Sequence, residues 1–254
     1  MVAQEGNHGR DMYKVTVLIA SCNYGCYVGR AIQSTLNQTF SRHDYEILVV
    51  DDGSTDDTGD RLRQFEGQIR LYQQQNLGLA RACNAGIKLS QGRYLIRLDA
   101  DDELEPEALF EMTSVLDRNC DVELVCADRW EIGSDGHESL VEVDLGNIFS
   151  LIAPGVMFRT RCLHDVGMYR PLFWEEHDLM IRLYERYKPA CIKKPLYRYY
   201  QHSGSMTQDP ERRRQGWMEL VEIWGVDELR KWGYSEDLEA TWSQIARRDK
   251  VTLK

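Results

Sequence analysis

Basic residues are in short supply. Against 41 Asp and Glu stand 31 Lys and Arg, a formal charge of −10 over 254 residues, with a pI near 5.2. A surface that acidic does not suit non-specific binding to nucleic acid or to an anionic membrane. No run approaches the roughly 20 apolar residues that a membrane-crossing helix needs. The segment Met1 to Arg10 has no apolar h-region, so residues 1–13 read as a disordered lead-in and not as a secretory leader. No two cysteines are spaced C-x-x-C. The seven, at 22, 26, 83, 120, 126, 162 and 191, are odd in number, and several lie in apolar runs such as 122–126. They read as reduced structural thiols of a cytoplasmic protein. No GxGxxG follows the first apolar run and no GxxxxGK[ST] is present, so the glycine cradles that hold phosphates elsewhere are missing.

What is present is a globular chain. Hydrophobic residues make up 43%, and the length suits one large domain or two fused lobes at roughly 150 residues each. A short apolar run rich in β-branched residues at 14–20, and further largely apolar runs at 45–50, 69–72, 93–98 and 122–126, predict strands. Between them lie segments of helical spacing, such as Leu79, Ala82, Cys83, Gly86 and Ile87 on one face. Strands alternating with helices predict an α/β fold with a mostly parallel sheet. The pattern loosens after about residue 128. A short strand is expected at 156–158, a helix at 176–187, and two polar helices at 211–232 and 236–249 carrying Trp217, Trp224, Trp232 and Trp242. This divides the chain into a nucleotide-type lobe at 14–128, a second lobe at 129–209 and a helical tail at 210–254. With Arg212 to Arg214 and Arg247-Arg248, the tail suits either a packing helix pair or a peripheral contact with a partner or an anionic lipid face.

Two acidic loops carry the chemistry. Asp99-Ala100-Asp101 leaves a predicted strand at its carboxyl end, the edge where open α/β sheets bind ligands. Two carboxylates two residues apart can face one point, and hard divalent cations such as Mg or Mn want such oxygens. Asp51-Asp52 ends another strand, on the same edge if the sheet is parallel. Carboxylates gathered there repel unless a cation or hydrogen-bond donors compensate.

In order along the chain, the pieces resemble family 2 glycosyltransferases of the GT-A fold. They are residues 15–23, 31–40, 46–56, Asn76-Leu-Gly-Leu79 with Asn84-Ala-Gly86, 92–102, Phe158-Arg-Thr-Arg161 with Val166-Gly167, 175–183 and 197–202. The resemblance covers about 14–207. It implies a Rossmann-like central sheet with flanking helices, and inverting transfer from a nucleotide sugar, UDP-linked by preference, onto a hydroxyl of a glycan, lipid-linked or protein acceptor. It places Asp52 against the base, with Ala20, Ser21 and Asn23 lining that pocket and the Asp99-Ala100-Asp101 loop on the nucleotide. Asp99 and Asp101 match the DxD that holds Mn or Mg, with His202 near the diphosphate or the metal.

The sequence also departs from the family. Ala20 replaces a proline or threonine. Cys83 stands where arginine is common, with Arg81 as a nearby substitute. The Glu-Asp pair whose second member serves as base is Glu175-Glu176 here, so Glu176, Glu175 and Asp178 are all candidates. Two rivals remain in view: a catalytically silent sugar-nucleotide-binding subunit and a nucleotidyltransferase. The latter wants a basic residue in the loop after the first strand, and Ser21-Cys-Asn-Tyr-Gly25 has none.

Overall fold

The computed structural model describes residues 12–235. Its first half is built from β1 (Tyr13–Ser21), α1 (Gly25–Leu36), β2 (Tyr45–Asp51), α2 (Thr58–Arg63), β3 (Arg70–Gln73), α3 (Leu79–Leu89) and β4 (Gly92–Asp99). Then come β5 (Glu103–Leu104), α4 (Ala108–Arg118), β6 (Val122–Ile132), β7 (Glu138–Val141), β8 (Met157–Arg159), α5 (Thr160–Asp165), α6 (Glu175–Tyr184), β9 (Lys188–Tyr200), α7 (Pro210–Trp224) and α8 (Val226–Lys231). The sheet order is β3-β2-β1-β4-β8-β6-β9-β5, with β7 on the side of β6. The block β3-β2-β1-β4 is parallel throughout. Beyond it the sheet is mixed: β8 runs antiparallel to both β4 and β6, while β6 and β9 are parallel.

Register brings the acidic loops together. Ser21 pairs with Asp51 and Ala20 with Asp99, so three strands end on one edge with Ser21, Asp52 and Asp99 side by side. Strand residues alternate between two cores. Leu18, Leu48, Val50 and Leu95 face α3 and α6, whereas Val17, Ile19, Ile47, Val49 and Ile96 face α1 and α4. On the first face α3 comes close at Gly86, where an added Cβ would lie 2.1 Å from Leu18 Cδ1. Leu18 is fully buried and has no free direction to turn. Gly86→Ala is therefore expected to cost about 1–3 kcal/mol by overpacking, read as a lower denaturation midpoint at an unchanged m value.

Three local features differ from the sequence expectation. Ser54 and Thr55, residue types that favour the N-cap and stand shortly before α2 in the sequence, do not cap that helix. They are tied to Asn23, while Asp56 Oδ1 accepts from the Thr58 amide at 3.0 Å at the start of α2. The long strand β9 was hidden by Pro189 and Pro195, which interrupt the apolar pattern, and its pairing with β6 shifts register beside Pro195. The first tail helix breaks at Gly225, whose φ of 75° ends α7 and starts α8. Trp217 is buried, and Trp224 and Trp232 pack against the core around it. The expected helix 236–249 with Trp242, the Arg247-Arg248 pair and the lead-in up to residue 11 lie outside the described residues. Among the described residues, no helix is long and apolar enough to cross a membrane.

Candidate active site

A cavity of about 400 Å³ opens at the carboxyl edge of the parallel block. Ala20, Ser21, Asp52, Asp99, Ala100, Asp101, Glu175 and Glu176 all reach its wall. Asp52 is buried, and its carboxylate accepts from the amides of Leu77 at 2.9 Å and Gly78 at 2.8 Å and from Gln74 Nε2 at 2.7 Å. It thereby fixes the Asn76-Leu-Gly78 turn as a second wall. Asp51 stays off the cavity, bound to the Ser54 amide and Gln73.

Asp99, Asp101 and Asp102 place one carboxylate oxygen each within 4.8 Å of one another. Burial and the charge of Asp99 push the Asp101 carboxyl up, and burial and both neighbours do the same to Asp102. Asp102, left out of the expected ligand set, is structural on both oxygens: Tyr197 Oη donates at 2.7 Å and the Tyr200 amide at 2.8 Å. His202 reaches the trio through Asp101, at 2.8 Å from Nε2 to Oδ2. Its Nδ1 accepts from the Gly204 amide, which leaves Nε2 as the donor, and its ring stacks on Tyr27 at 4.6 Å. An oxygen-rich trio of carboxylates this close together suits a hard divalent cation. Asp99 and Asp101 are the members with the fewer internal commitments.

Helix α6 sorts the three base candidates. Glu175 is buried and held by Arg97 Nη1 at 3.1 Å. Asp178 is fully buried on the opposite side of the helix. It is bonded by Arg182 at 2.7 Å, Arg170 at 3.0 Å and Trp224 Nε1 at 3.1 Å, and does not reach the cavity. Only Glu176 faces the cavity with no bonded partner among the described residues. Burial, reinforced by the Glu175 charge, pushes its carboxyl up to about 8. Asp178→Ala is expected to cost about 3–5 kcal/mol of stability, because it strands the buried Arg182. Nucleotide affinity in the surviving folded protein should be unchanged.

Two further candidates stand apart. Asn23 is exposed; its side-chain oxygen accepts from the Thr55 amide at 2.7 Å and it does not line the cavity. Arg81 is exposed on α3, also off the wall. Sequence reasoning missed Arg97, whose one signal was a charge inside the apolar strand run Tyr94-Leu-Ile-Arg-Leu98. It also missed the far wall, where Arg129 and Glu131 pair at 2.7 Å beside Phe149, Leu151 and Met206. Trp174 offers the cavity little: Nε1 donates to the Arg213 carbonyl, and its ring packs against Trp217 at 5.2 Å and His177 at 5.4 Å. Ser21 Oγ, His177 Nδ1 and Ser205 Oγ are buried on cavity-lining residues without a hydrogen-bond partner among the described residues.

Residues 16–149, just over half of the chain, match the family model described as glycosyl transferase family 2. Chondroitin synthase of Escherichia coli is 39% identical over 98 residues, 37% of this chain and 14% of that protein. The poly(ribitol-phosphate) beta-N-acetylglucosaminyltransferase TarP of Staphylococcus aureus is 38% identical over 102 residues, 39% of this chain and 31% of its own length. The chain thus matches less than a third of the length of these relatives. Among solved structures, S. aureus TarS 1-349 in complex with UDP-GlcNAc superposes with a TM-score of 0.66 at 20% identity, over 92% of this chain and 71% of that one. A mannosyltransferase of Pyrobaculum calidifontis, in complex with GDP-Man and Mn2+, gives 0.66 at 15% identity, over 96% and 77%. The acidic edge at Asp52 and Asp99, the parallel block behind it and these likenesses agree: the chain belongs to glycosyl transferase family 2 and has the GT-A fold.

Proposed function

We propose that this chain transfers a sugar from a nucleotide sugar, UDP-linked by preference, to a hydroxyl group, with inversion and with Mn or Mg as cofactor. The observation that carries the reading is one cavity with the Asp52 wall, the Asp99–Asp101 pair and the unbonded Glu176 on it. The base stacks in the slot between Ala20-Ser21 and the Asn76–Gly78 turn, and Ser21 Oγ, buried and unpartnered, waits for a polar atom there. Asp99 and Asp101 would hold the cation. When bound, it supplies Lewis-acid stabilisation of the leaving diphosphate. Glu176 takes the proton of the acceptor hydroxyl as that oxygen attacks the anomeric carbon. Base and leaving-group clamp stand on separate elements, α6 and the end of β4, which suits a single in-line displacement. The acceptor, on a glycan, a lipid-linked glycan or a protein, enters along the wall of Phe149, Leu151 and Met206.

The test is a screen of UDP-, GDP- and other nucleotide-linked sugars with Mn2+, read by released nucleoside diphosphate, including slow transfer to water. Turnover of one donor well above the rest supports the reading. Tight donor binding by calorimetry without release, across an acceptor panel, would instead make the chain a silent binding subunit.

A further inference from the structure

We infer that Arg97 is a positioning residue of the proposed transfer: its buried guanidinium ties the Asp99 loop to the helix that carries Glu176. This rests on the reading of the cavity given above. Arg97 is 2% exposed, in the centre of a sheet, at a position where strand burial calls for an apolar side chain. A charge is tolerated there only if it is paired. The pairing is divided between two elements: Nε donates to Asp99 Oδ1 at 2.8 Å and Nη1 to Glu175 Oε1 at 3.1 Å. Asp99 ends β4, two residues on and on the same strand face, while Glu175 opens α6, 78 residues away. One planar fork thus sets the distance between the diphosphate end of the cavity and the first turn of α6. Glu176 follows Glu175 directly, so the direction it faces is set by the same bond.

The surroundings show that the space is made for this guanidinium. Above it lies the Tyr169 ring, 5.7 Å from the guanidinium carbon. Across from it, α3 presents Cys83, small and fully buried, which leaves the volume between α3 and β4 to the arginine. Arg81, on the same helix as Cys83, is exposed and off the cavity wall. The same volume could be entered from the α3 side: a long cationic side chain at 83 would reach the carboxylates from the opposite direction if residue 97 were apolar.

That exchange provides the test. Arg97→Lys keeps one charge but cannot span both carboxylates with a planar fork. It is expected to unfold within a few degrees of the parent in metal-free buffer, yet to lose at least tenfold in kcat for nucleoside diphosphate release from the best donor, with KM little changed. Arg97→Leu is expected to lose at least 100-fold, the scale of a misplacement of about 1 Å. The double variant Cys83→Arg/Arg97→Leu should recover at least tenfold of that loss. Arg97→Lys turning over within threefold of the parent, or losing kcat only in proportion to its folded fraction, overturns the inference. So does loss of turnover in Arg81→Ala with Arg97→Lys unimpaired. A parent protein that releases no nucleoside diphosphate from any donor overturns the proposed function itself, which is a different failure.

Discussion

Glu176→Gln is expected to lower sugar transfer by on the order of 10²- to 10⁴-fold, the usual contribution of a positioned general base. Donor affinity should stay within a few-fold, because the nucleotide wall at Asp52 is on another element. The parent should show kcat/KM rising with pH toward an inflection near 8 in the metal-poor enzyme. A base must be ionised to work, and burial, with the Glu175 charge behind it, holds this carboxyl at about 8 instead of the usual 4.5. Bound cation favours the carboxylate and should draw the inflection downward. Stability gives an independent reading of the same shift. A carboxyl with a folded value above its unfolded one binds more protons when folded, so it stabilises most below about 4.5 and that share is lost as pH rises to about 8. Glutamine stands in for the protonated form. Glu176→Gln should therefore unfold at a higher temperature than the parent at pH 9 and alongside it at pH 4. Full activity in the variant, or a metal-poor parent whose residual turnover is flat from pH 6 to 9, would remove Glu176 from the role of base.

The sequence made the parallel block and its acidic edge legible because both are local. Strands such as 45–51 carry an apolar run, Ile47 to Val50, that ends in aspartate, and the alternation with helices orders them. The choice among Glu175, Glu176 and Asp178 is not local. On a helix, residues two apart lie about 200° apart around the axis, so Glu176 and Asp178 cannot both face the cavity. The Asp178–Arg182 pair at i,i+4 hints which one is turned away. Glu175 is withdrawn by Arg97, a partner 78 residues distant that no spacing rule could have supplied. Asn23 failed to reach the cavity for a similar reason: with φ at 60°, it turns its side chain onto the loop after β2. Asp102 looked like loop acidity, and only the pairing of β5 with β9 brings Tyr197 and Tyr200 onto it.

Asp101→Asn should separate the two consequences of the acidic cluster. Three carboxylates within 4.8 Å hold Asp101 and Asp102 up in pKa, the sign of mutual repulsion added to burial. Without a cation, removing one charge relieves that repulsion. Asparagine keeps an oxygen to accept from His202 Nε2, so the variant should be as stable as the parent or more so in chelator. With Mn2+ and a nucleoside diphosphate the order should reverse. The parent gains stability by mass action, about 2.7 kcal/mol at a hundredfold excess of ligand over Kd, and the variant gains far less. Turnover should fall by at least about 100-fold in the variant and in the parent treated with excess chelator. Asp102→Asn is the contrast: it disturbs the bonds to Tyr197 and Tyr200 and should lose stability whether or not metal is present. Undiminished turnover in chelator would sink the metal requirement. An Asp101→Asn protein less stable than the parent without metal would show that Asp101 serves the fold first. A net charge of −10 does not suit non-specific binding to nucleic acid, yet the proposed nucleotide-sugar donor can enter this cavity if a cation on Asp99 and Asp101 offsets the local charge.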